Sequence, residues 1–138
     1  MPDMSKERRY QMLITDGARA DLGSCRAGDR WAAAKVAEFL REFSDGRSPS
    51  ELLVDEHFFD EEVRDVSAIW SLQDKRINAY RIRLVEVSGW RIITAVDHRA
   101  KRVAVLAIMP RTADYEADRD LWARIEREHD AIGFARYG

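Results

Sequence analysis

Cysteine is almost missing from this chain: Cys25 is the only one in 138 residues. An internal disulfide and a cysteine-built zinc site are therefore excluded. Histidine is scarce too. His57, His98 and His129 are scattered along the sequence, which predicts no metal centre and no cofactor. No apolar run approaches the roughly 20 residues that cross a bilayer. Met1 to Glu7 lack the apolar segment of a secretory signal. There is no glycine-rich phosphate loop, internal repeat or low-complexity tract. These absences predict a cytoplasmic protein that makes no membrane contact. What is plentiful is charge, at 35%, and hydrophobic side chains, at 46%. That balance folds rather than staying disordered, and the length suits a single domain over residues 1–138.

The formal net charge is only -2, but its distribution is uneven. Lys75, Arg76, Arg81, Arg83, Arg91, Arg99, Lys101, Arg102 and Arg111 form a basic window with only Glu86 and Asp97 as acids, a net of +7. The remainder of the chain therefore carries -9, and its densest acidic stretch runs from Glu51 to Asp65. A localised polyanion site on an acidic chain has this signature, and so does an ordinary solvated surface.

Hydrophobic spacing organises the chain. Arg9 to Thr15 reads as a first strand. Asp16 to Gly28 reads as a loop with room for a short helix. Asp29 suits an N-cap, and Val36, Phe39, Leu40 and Phe43 make one apolar helical face, loosely extended by Trp31. Gly46 suits the helix end, and Ser48-Pro49-Ser50-Glu51 restarts a helical turn. Leu52 to Ile69 suggests helical or irregular packing. Tyr80–Val87, Trp90–Val96 and Val103–Met109 read as three successive antiparallel strands, the last buried on both faces. Glu116 to His129 reads as a final helix ended by Gly133, with Ile132, Phe134 and Tyr137 placed to dock the tail. The sum is an α+β domain: a small curved antiparallel sheet with helices packed on one face.

Period-two geometry places Arg81 and Arg83 on one strand face, and antiparallel pairing brings Arg91 to the same surface. Arg111, Asp114 and Tyr115 follow the third strand. Guanidinium groups bind phosphate through paired hydrogen bonds and stack on bases. The set suits metal-free RNA cleavage, in which the substrate's 2′-hydroxyl attacks the phosphate. Arginines would hold the developing charge and Tyr115 would stack on a base or supply a proton. Arginine stays protonated and is a poor base, so Asp114 is the nearest candidate for that role. Lys75 and Arg76 join Arg81 and Arg83 as candidate RNA contacts. The competing reading is a solvent-facing row of arginines with Tyr115 as a packing aromatic.

The same residues resemble the RelE/ParE toxin superfamily. The resemblance is carried by Ala79-Tyr80-Arg81-Ile82-Arg83-Leu84, Ser88-Gly89-Trp90-Arg91-Ile92-Ile93, Val103 to Ile108, and Pro110-Arg111-Thr112-Ala113-Asp114-Tyr115. It implies a toxin of a type II toxin–antitoxin pair, an endoribonuclease that cleaves mRNA on the ribosome without a metal. It implies a cognate antitoxin as partner. Arg81 and Arg83 match the basic strand positions, Arg91 the phosphate-binding arginine, and Arg111 with Tyr115 the pair after the strand. Asp114-Tyr115 also resembles the Asp-Tyr pair of HigB-like members. Met109 stands where RelE-like members carry a further basic residue. The alternatives are a ParE-like toxin that inhibits DNA gyrase and a non-toxic binding module that keeps the fold.

Overall fold

A computed structural model describes residues 9–112 and 118–137 of the chain. Strand β1 (Gln11–Ile14) leads into helices α1 (Asp16–Gly28) and α2 (Arg30–Ser44), and a 3-10 turn covers Ser50–Val54. Strand β2 (Val63–Ala68) and the one-turn helix α3 (Trp70–Gln73) precede β3 (Ala79–Leu84), β4 (Trp90–Asp97) and β5 (Arg102–Pro110). Helix α4 (Arg119–Ala131) closes the chain. The five strands form one sheet in the order β1-β5-β4-β3-β2. β1 runs parallel to β5 and every other pair is antiparallel, so the sheet is mixed.

Capping sets where the helices begin. The Thr15 hydroxyl accepts from Ala18 N–H at 3.2 Å and starts α1. Asp29 Oδ1 accepts from Ala32 N–H at 3.0 Å and starts α2 as its N-cap. α1 is longer than the loop its sequence suggests. Gly17 and Gly23 lower its intrinsic helix propensity, but burial of Ala18 and Cys25 against the core outweighs that. Gly17 also lies so close to the Glu128 carboxylate that a side chain would collide with it. Gly46, past the end of α2, has φ +78°, the left-handed conformation that glycine adopts freely. Trp31 does not extend the apolar face: it is 56% exposed, with the Lys35 ammonium over its ring.

The second departure is β2, which lies inside the segment that reads as helical or irregular. Its Val63 and Val66 are buried, with a register shift between Val63 and Asp65. That bulge breaks strict alternation, so the period-two pattern is blurred in the sequence. The strand is launched by Asp60, whose carboxylate accepts from the N–H groups of Glu62 and Val63.

Alternation along the strands builds two apolar clusters. α1 and α2 cover one sheet face, where Val36, Leu40 and Phe43 pack with Ile82, Ile92, Val103 and Val105. The other face carries Ile93, Ala95, Ala104, Leu106 and Met109, closed over by Leu72, Ile77, Ile125 and Phe134. Ile92 and Ile93, adjacent in sequence, therefore belong to opposite clusters. β5, with both faces covered, is buried from Val103 through Met109. Arg124 ties the layers together. It donates to Asp21 at 2.9 and 2.7 Å, while Asp21 Oδ2 accepts from Ile108 N–H at 3.0 Å.

Candidate functional site

The register of β3 and β4 decides which arginines meet. Arg83 lies opposite Arg91, and Arg81 lies opposite Ile93. Ile82 and Ile92 point into the cluster under α2, so Arg81, Arg83 and Arg91 share the reverse face. Each is partly buried. On the far side of Arg91 stands Met109 of β5. The three strand arginines thus occupy one end of the sheet surface, beside the apolar ground of the second cluster. Arg81 Nε is shielded from solvent and has no hydrogen-bond partner among the described residues.

Sequence reading misses the carboxylate at the outer edge of this surface, on the edge strand β2. β2 sets Asp65 opposite Arg83 and Ser67 opposite Arg81. Arg83 Nε donates to the two Asp65 oxygens at 2.9 and 3.0 Å, and Nη2 donates to Oδ2 as well. The hydrogen bonds from Arg83 hold the Asp65 carboxyl below its ordinary pKa, against the opposing effect of burial, and the charges of Arg81 and Arg64 act in the same direction as Arg83. In return, Asp65 raises the pKa of Arg83. Only the placement of β2 reveals this pair, and the bulge is what conceals that strand.

Arg111 lies just beyond this end. Its backbone N–H donates to Gly89 O at 2.7 Å, and the preceding Pro110 pairs with Trp90. Its side chain is exposed. Asp114 and Tyr115 lie outside the described residues. Lys75 and Arg76 sit toward the opposite end of the sheet. Ala79, which follows them, pairs with Ala95, four strand positions from Arg91, or roughly 13 Å. There Lys75 Nζ pairs with Glu126 at 2.9 Å, and the carbonyls of Lys75 and Arg76 receive Arg136 Nη1 and Tyr137 N–H. The structure therefore brings together Arg81, Arg83 and Arg91 with Arg111 adjacent, and leaves Lys75 and Arg76 apart from them.

The chemistry of the set is specific. Fixed guanidiniums hold phosphate charge but cannot take a proton. Asp65, kept ionised among arginines, is a weak base. Cys25 is fully buried, and burial followed by the charge of Asp29 pushes its thiol pKa up, which disfavours a nucleophilic thiolate. Among the described residues no group of three or more His, Cys, Asp or Glu is arranged to hold a metal ion, and no helix is long and apolar enough to cross a membrane. Comparison with known proteins finds no matching family model, no matching curated protein and no matching solved structure.

Proposed function

We propose that this chain is a RelE/ParE-like toxin of a type II toxin–antitoxin pair that acts in the cytoplasm and cleaves mRNA on the ribosome. The observation that carries the reading is the in-register Arg83–Arg91 pair with Arg81 on the same partly exposed face. Guanidiniums gathered on one strand face attract backbone phosphates, Arg81 and Arg91 directly and Arg83 with its charge balanced by Asp65. In this reading Arg91 and Arg111 hold the scissile phosphate while the RNA 2′-hydroxyl attacks it. The charge that develops on the phosphoryl oxygens is met by donors already in place, so little reorganisation is needed. Asp114 takes the proton of the 2′-hydroxyl, and Tyr115 stacks on a base or protonates the leaving 5′-oxygen. A cognate antitoxin would neutralise the toxin by laying an acidic or amphipathic segment over the arginine face.

The Arg83–Asp65 pair favours a second reading. It commits one of the three strand cations to an internal partner, which suits a non-nuclease relative that inhibits DNA gyrase or serves as a binding module. Induced expression separates the two. The nuclease reading expects growth arrest with mapped mRNA cuts, and loss of both with Arg91→Ala in folded protein. Full arrest and full cleavage by Arg91→Ala would end the nuclease reading as drawn. Arrest of growth with intact mRNA would favour the gyrase reading.

A further inference from the structure

Asp65 stands at an unusual place for an acid. It faces Arg83 across the β2–β3 ladder and engages that side chain through both Nε and Nη2. A guanidinium fork on two carboxylate oxygens is the geometry it would use on a phosphate. The pair is neither sealed in the core nor free in solvent: the Arg83 side chain is 38% exposed and that of Asp65 31%. The carboxylate lies within the electrostatic reach of Arg81 and Arg64 as well. One negative charge is thus fixed among the cations that would meet a polyanion.

We propose that Asp65 limits the affinity of this face for RNA, and that Arg83 acts by neutralising Asp65 rather than by binding phosphate; the proposal rests on the RNA-binding reading of the arginine face. Arg83 is then a positioning and charge-balancing residue. Removing it does not delete a phosphate contact; it uncovers a carboxylate that repels the backbone. Removing Asp65 instead releases a guanidinium that the backbone can use. Removing both leaves the face as balanced as it began. The consequence is a site that does not hold arbitrary single strands tightly, because its polyanion attraction is internally trimmed.

The test is a double-variant cycle read by fluorescence anisotropy with a labelled 12-nucleotide oligouridylate, on full-length proteins matched for circular dichroism and melting temperature. Asp65→Asn is expected to tighten binding roughly threefold to tenfold and to steepen the salt dependence by about 0.7 in log–log slope, the increment for one added phosphate contact on a single strand. Arg83→Ala is expected to weaken binding by a similar factor. The double variant Asp65→Asn/Arg83→Ala is expected to return to within about twofold of the wild type. A double variant as weak as Arg83→Ala would show Arg83 to be a direct phosphate ligand and overturn the proposal. An unchanged affinity in Asp65→Asn would overturn it as well. Arg91→Ala keeps the two failures apart: if it weakens binding while Asp65→Asn changes nothing, only the role of Asp65 falls. If no variant binds the oligonucleotide, the RNA-binding reading and this proposal fall together.

Discussion

The two ends of the β3–β4–β5 meander carry similar charge in the sequence and differ in the structure. At one end Arg83 meets Arg91 in register, Arg81 is two residues away, and Arg111 follows just past β5. At the other, the Lys75 ammonium is paired with Glu126, and Arg136 is paired with Asp130 while also donating to the Lys75 carbonyl. Asp97 braces that second end by accepting from Ala100 and Ala135 N–H, both at 3.0 Å. The lesson is that a basic window is not a site. Nine basic residues make one electrostatic feature in the sequence, and the sheet divides them into an arginine surface and a tail clamp.

Perturbing the shared scaffold should have the largest effect. Ile92 is fully buried beneath α2 and neighbours Arg91 in β4. Ile92→Ala should cost about 3 kcal/mol in urea unfolding, through lost burial and the cavity left behind, and it should weaken both ends together. Arg91→Ala should separate them. If the proposed nuclease reading holds, it should slow RNA cleavage about a hundredfold, on the order of 3 kcal/mol in the barrier, while the unfolding midpoint shifts little.

Asp97→Asn should act at the tail end alone, at about 1 kcal/mol. Burial raises the pKa of the Asp97 carboxyl, but hydrogen bonds from the backbone of Ala135, Ala100 and Arg99 outweigh it and hold the value below the ordinary one. Because the folded pKa lies below the unfolded value, about 3.9 for Asp, this stabilisation is fully present above that value. It is lost as the pH falls through the folded pKa. Protection of the Ala135 amide, relative to its intrinsic exchange rate at each pH, should therefore fall in the wild type only in acid, and be reduced at all pH values in Asp97→Asn. Lys75→Ala should give the smallest effect, under about 0.5 kcal/mol, because the lysine end of its ion pair with Glu126 is solvent-exposed. RNA affinity should stay within about twofold, and a larger loss would return Lys75 to the binding surface.

Much of this was legible in the sequence, for physical reasons that can be named. The three meander strands alternate clearly enough that the co-facial placement of Arg81, Arg83 and Arg91 follows from period two and antiparallel pairing. Asp29 and Gly46 mark the ends of α2 by capping chemistry that is local. β2 was hidden because its bulge disrupts alternation and its acids resemble a solvated face. The pairing of Asp65 with Arg83, 18 positions apart, depends on that strand. α1 was hidden because two glycines mask a helix whose stability comes from tertiary burial. The parallel pairing of β1 with β5 joins residues 91 positions apart, Gln11 to Arg102, and leaves no local signal. The separation of Lys75 and Arg76 from the arginine face has no signal in the sequence, because spacing says nothing about which end of a sheet a turn occupies.

The most direct test of the arginine face is an amide chemical-shift map of the isotopically labelled protein titrated with a single-stranded RNA oligonucleotide. Perturbations are expected to concentrate at residues 81–83, at Arg91 and around Met109 to Arg111, with Lys75, Arg76 and Arg99 unmoved. Shifts concentrated at Lys75, Arg76 and Arg99, with Arg81, Arg83 and Arg91 silent, would contradict it.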